Sequence, residues 1–163
     1  FTSSPECVGQ EALGLGGSLA SVVWSANLLA FFPFTTSALL KVSQFFWVNG
    51  AAVNGNTDIG IYAGDGLTKL VSAGSTLNSG ISAIQVVNVT DYVLPPNSRL
   101  WLAIGSDSSS QEYFRVTWNA AVTNLLGIKS QASGWSSGLP STISFADAGA
   151  SLLWCGFTGS SVI

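Results

Sequence analysis

Residues 57–73 read TDIGIYAGDGLTKLVSA. From Thr57 to Ala63 the side chains alternate, with Ile59 and Ile61 on one face and Asp58, Gly60 and Tyr62 on the other. A period of two marks a strand with one buried face. Gly64-Asp65-Gly66 follows, and glycine on either side of an aspartate permits the positive φ that a tight hairpin turn needs. Thr68 to Ala73 then runs back. The stretch therefore predicts an antiparallel hairpin, with Ile59, Ile61, Leu70 and Val71 as candidate core.

The same signals recur on both sides. Upstream, Leu40 to Asn49 carries Phe45, Phe46, Trp47 and Val48 and stops at Asn49-Gly50, with a second turn cluster at Asn54-Gly55-Asn56. Downstream, Ala83 to Thr90, Arg99 to Gly105, Glu112 to Trp118, Ile143 to Phe145 and Ser151 to Phe157 read as strands, separated by turn clusters such as Pro95-Pro96-Asn97. Residues 18–34 read as an apolar strand or packed segment ending at Pro33; a helix over Ala20 to Phe32 is disfavoured by Val22, Val23, Trp24, Phe31 and Phe32. Residues 1–19 are rich in Gly and Ser and have no apolar period. They predict an extended arm packed on a neighbouring subunit, since such a segment gains little burial at home. The expected fold is all-β: an antiparallel, jelly-roll-like β-sandwich over residues 36–163, preceded by the arm and first apolar segment over residues 1–35.

The chain has 163 residues and a mass of 16.8 kDa, about one domain. Apolar residues make up 47% and charged residues only 8%, against about 25% charged in ordinary soluble domains. A compact monomer of this mass exposes roughly 7,700 Å², which leaves one formal charge per roughly 600 Å². Surface so sparsely charged points to coverage by copies of the chain or by a partner. The five basic residues, Lys41, Lys69, Arg99, Arg115 and Lys129, are scattered and the isoelectric point is near 4.5, so nucleic acid is not an expected partner. The apolar run Leu19 to Phe34 is short and interrupted by Ser21, Ser25, Asn27 and Pro33, so no membrane span is expected of it.

The residue inventory limits the chemistry. There is no histidine, which removes Ser-His-Asp and Cys-His arrangements, and two cysteines cannot build a cysteine-rich zinc site. Gly14-Leu15-Gly16-Gly17 does not complete a dinucleotide fingerprint. The acidic residues sit mostly beside turn formers, where capping of their own backbone is the expected role; for Asp58 and Asp65 a calcium role is the alternative to capping. We therefore expect no catalysis, no cofactor, and no catalytic, cofactor-binding or metal-binding residues. Cys7 and Cys155 lie near opposite ends: a bridge would close a very long loop, and two buried thiols are the simpler expectation. Of the aromatics, Trp135 in the loop Ser133-Gly134-Trp135-Ser136-Ser137, with Tyr113 and Tyr62, are the candidates for an external contact.

Residues 45–80, FFWVNGAAVNGNTDIGIYAGDGLTKLVSAGSTLNSG, followed by AIQVVNVTD at 83–91 and LPPNSRLWLAI at 94–104, resemble a recurrent module of tailed-bacteriophage virion proteins. The similarity covers roughly residues 40–120. It implies a virion-located β-sandwich of the capsid decoration (cement) or tail-fibre type, and it carries over no catalytic residue. Such a resemblance implies a structural protein that binds other virion proteins, such as the major capsid protein, and itself as a homo-oligomer, a trimer being favoured. The alternative is a carbohydrate- or receptor-binding module of a tail fibre, which would need Trp135, Tyr113 and Tyr62 exposed in a groove.

Overall fold

The computed structural model describes residues 5–7, 19–117, 120–132, 134–147 and 151–161. They form an all-β, sandwich-like fold with one short helix, and all strand pairs are antiparallel. The hairpin at 57–73 is present: β5 (Asn56–Ala63) pairs with β6 (Lys69–Ser72). In its turn Gly66 has φ +72°, its N–H reaches Ala63 O at 2.9 Å, and Asp65 Oδ1 accepts the Leu67 N–H at 2.9 Å. Asp65 thus closes its own turn.

The largest sheet is built around β9 (Ser98–Ser106), which lies between β5 and β3 (Leu29–Thr36). Beyond β3 come β11 (Lys129–Gln131) and β12 (Ala146–Asp147); β6 and the two-residue β7 (Thr76–Leu77) pair with β5. A second sheet orders β1 (Pro5–Cys7), β14 (Cys155–Ser161), β4 (Leu40–Val48) and β8 (Ile84–Leu94). A third orders β13 (Ser151–Leu153), β10 (Glu112–Thr117) and β2 (Leu19–Val23). The second and third sheets join at Trp154, whose N–H reaches Phe114 O at 3.0 Å while its carbonyl accepts from Val48 at 3.1 Å.

One hydrophobic cluster spans all three sheets: Phe32, Ile59, Ile61, Leu102 and Ile104 of the largest sheet meet Phe45, Trp47, Tyr113, Leu153 and Phe157 of the others. Each such fully buried side chain contributes about 1.5–3 kcal/mol of transfer free energy. Ile59 and Ile61 face this core and Tyr62 faces away from it, as the alternation predicts. The opposite face of the largest sheet is also covered. There Leu29, Phe31, Tyr62, Trp101 and Ala103 form a second cluster with Leu139 and Ile143, so β9 is buried on both sides.

Four expectations need correction. The apolar segment at 18–34 is two strands, β2 and β3, with Asn27 at φ +63° in the turn between them. Pro33 does not end a strand: it pairs with Trp101 inside β3, beyond the reach of β11, whose partners stop at Phe31. No neighbour on that side needs its missing N–H. A boundary at 35/36 would therefore cut an interior strand, and the first apolar segment belongs to the sandwich. Of the proposed arm, Pro5–Cys7 pairs with β14 of its own chain, with Cys7 opposite Gly156; the rest of residues 1–18 lies outside the described residues. Finally, Ile143 to Phe145 is irregular chain and not the strand expected, and α1 (Ala120–Leu125) is a short helix in a fold read as strands and turns alone.

Candidate functional site

At the end of β4 the chain buries a set of amides. Asn49, fully buried, accepts from Trp47 Nε1 and Gln111 Nε2, both at 3.0 Å, and donates to Ser79 O at 2.7 Å and Gln85 Oε1 at 3.1 Å. Gln111 Oε1 accepts the Asn54 N–H at 2.9 Å. Thr57 donates to Asn78 Oδ1 at 2.7 Å and hydrogen-bonds the Tyr113 hydroxyl, and Asn78 returns a bond to Asn54 O at 3.0 Å. Gly55, at φ +64°, lets Asp107 close on this loop: a Cβ there would lie 2.3 Å from Asp107 Oδ1, which accepts the Asn56 N–H at 2.7 Å. The amides of Asn49 and Gln111 are spent inside the protein. The run NGAAVNGNTD is therefore a device that specifies the fold, since a buried polar network of this kind rigidifies only when its members are paired.

A second concentration of chemistry lies under residues 134–147, which cover the outer face of the largest sheet. Asp58 sits within β5 opposite Gly105 and is 1% exposed, so it is not the turn carboxylate its neighbours in sequence suggest. Its Oδ2 accepts the Leu139 N–H at 2.9 Å, while its Oδ1 has no hydrogen-bond partner. Lys69 Nζ donates to Leu139 O at 2.7 Å, and the Tyr62 hydroxyl donates to Pro140 O. Three side chains from β5 and β6 thus hold one short segment. Burial raises the Asp58 pKa above the ordinary 3.8, against the opposing pull of the Leu139 amide and Lys69. Burial likewise raises that of Tyr62, aided by the Asp58 charge.

The sign of the resulting pH dependence is fixed. A carboxyl whose folded pKa is raised binds its proton more tightly in the folded state, so its contribution to stability is greatest below 3.8 and declines as pH rises through the folded value. The difference in melting temperature between the native chain and Asp58→Asn should therefore shift toward the native chain as pH falls from 7 to 4. A difference that shifts the other way would show that Leu139 and Lys69 outweigh burial.

The three aromatics proposed for external contact are placed differently. Tyr62 is fully buried and Tyr113 is 1% exposed, which removes both from any surface groove. Tyr62 is covered by residues 134–147, and Tyr113 packs edge-on to Trp24 at 5.6 Å with its hydroxyl bound to Thr57. Trp135 is half-buried against the second cluster. The structure does not bring the three together at a surface. Among the described residues the exposed tryptophan is Trp154, at 46%. It was legible in SLLWCGF: if Leu153, Cys155 and Phe157 point inward, the residue between the first two points out.

Across β4 from Trp154, whose carbonyl bonds Val48, lie further exposed apolar residues on β8. Strand register places Phe46 opposite Val86 and Val48 opposite Ile84, and Ile84 and Val86 are 66% and 52% exposed. Leu77 and Ile81 are exposed nearby in sequence. This surface can offer apolar contact and backbone hydrogen bonds. Among the described residues no group of three His, Cys, Asp or Glu is placed to hold a metal ion, and no helix is long and apolar enough to cross a membrane. Comparison of the chain with protein-family models, curated proteins and solved structures finds no match, so its functional reading rests on these residues themselves.

Proposed function

We propose that the chain is a structural subunit of a bacteriophage virion, a capsid decoration (cement) or similar virion-surface protein that works through protein–protein contacts. The observation that carries this reading is the pairing of a sparsely charged chain with exposed Ile84, Val86 and Trp154 on a sandwich-like fold. Such a surface suits a lattice partner better than solvent. The resemblance of roughly residues 40–120 to virion modules points the same way and supplies the location; a jelly-roll-like topology and self-association belong to the same proposal. The glycan-binding alternative loses support from the burial of Tyr62 and Tyr113. The test is to purify particles of the phage that encodes the chain and label them with an antibody to it. Regular surface label, with the chain present in stoichiometric amount in the particle's mass spectrum, is the expected result. Its absence from purified particles would overturn the reading.

A further inference from the structure

We infer that β8 is a dimerisation edge that pairs, antiparallel and about a two-fold axis, with β8 of a second copy. The inference rests on the sheet and stands whether or not the virion reading holds. Among the described residues β8 pairs on one side with β4, and no strand lies along its other side. At eleven residues it is the longest strand and closes one edge of its sheet. The other strands at the ends of the three sheets, β1, β2, β6, β12 and β13, are shorter, with three, five, four, two and three residues. An unpaired strand edge is a row of N–H and C=O groups shaped for another strand, and proteins usually blunt it with lysine, proline or a bulge.

Here the blunting devices are confined to one end. Val42 pairs with Tyr92 and Gln44 with Asn88, so β8 carries extra residues between 88 and 92 and bulges there. Asp91 and Lys41 form an ion pair of 2.8 Å at the same place. Ile84 to Asn88 lies before the bulge, in regular register with Val48 to Gln44, and contains neither charge nor proline.

The lack of charge selects the occupant. Around a two-fold axis each side chain meets its own kind, so any charge near the centre would face a like charge. IQVVNVT, residues 84–90, presents none. A pairing centred on Val86 places Val86 opposite itself and Ile84 opposite Asn88 of the second copy. The exposed Ile84 and Val86 then continue across the axis into one apolar strip. Two copies of one antiparallel edge meet in this way only about a two-fold axis, so the assembly unit is a dimer and not the trimer expected from the sequence.

The test is sedimentation equilibrium of the purified chain over a range of concentrations, beside Val86→Lys and, as a control, Leu125→Lys, which changes an exposed apolar residue on α1. The native chain and Leu125→Lys should dimerise reversibly. Val86→Lys places two ammonium groups across the axis and should weaken dimerisation about tenfold or more. Its dichroism spectrum and melting should stay close to those of the dissociated native chain, because the position is half-exposed. Hydrogen exchange on the native chain gives a second readout independent of any variant: amides within 84–88 should gain protection as the dimer fills. A native chain that stays monomeric, a trimer, or a dimer indifferent to Val86→Lys with no added protection at 84–88 would each overturn the inference. Particle labelling remains the separate test of the virion reading.

Discussion

Replacing Asn49 by alanine should lower stability by about 4 kcal/mol, because one buried side chain satisfies four partners, two of them in fully buried bonds and two in half-buried ones. Trp47 Nε1 loses its acceptor and Gln111 Nε2 one of its two, Glu112 O remaining; Ser79 O loses a donor, and Gln85 Oε1 keeps only the Ser79 N–H. Each buried group left unpaired costs about 1–3 kcal/mol, reduced where water enters. For a chain of this length the fall in melting temperature is roughly 8–16 °C. The pair Asn49→Ala and Gln111→Ala should be non-additive, with a coupling of about 0.5–3 kcal/mol, since the second change removes a donor the first has already deprived of one acceptor. Additive losses would mean that the two amides act separately and that the network reading of NGAAVNGN is wrong.

The second large effect is expected at Trp101. Its ring is 5% exposed and lies 4.5 Å from that of Phe145 with the Arg99 guanidinium 5.3 Å from its centre; its Nε1 donates to Gly64 O at 3.1 Å. Trp101→Ala should cost about 3–5 kcal/mol, the usual range for deleting a buried aromatic. It should also loosen the cover over the sheet, since Phe145, Ile143 and Leu139 pack into the same cluster or onto its rings. Limited proteolysis should then cut first within 134–147, and Trp101→Phe should restore most of the protection. Equal protease resistance in Trp101→Ala and the native chain would show that the backbone bonds of Leu139 and Ile143 suffice to hold the cover.

The hairpin and the inward face of β5 were legible because their signals are local: Ile59 and Ile61 alternate with polar neighbours, and Gly64-Asp65-Gly66 admits few other conformations. Tyr62 was misplaced for a reason equally physical. Alternation tells which residues share a face, but not whether a distant segment covers the second face, and residues 134–147 do so from beyond β9. Pro33 misled in the same way: proline inside a strand is forbidden only where a neighbour needs its N–H, and the shortness of β11 cannot be read from β3. Asn49 and Asn54 were legible as turn formers, while the second role of Asn49, bonding Gln111 and Gln85 from a buried position, depends on distant segments meeting. Asp58 looked like one more capping carboxylate because its sequence neighbours resemble those of Asp65; only its placement inside β5 separates the two.

The pairing of β4 with β14 has a consequence for synthesis. Trp47 and Cys155 lie at opposite ends of the intervening chain but side by side in the sheet, where they pair. At ordinary elongation rates a ribosome needs roughly 5–20 s to make the stretch between them. Through that interval the nascent chain holds β4 with one edge vacant and Phe45, Phe46 and Trp47 clustered along it, while β3 is already complete and β5 and then β9 are finished and free to associate. Arrival of β14 then fills the open side of β4, and a translational pause placed between α1 and β13 would lengthen the time for which that vacant edge competes for the wrong strand.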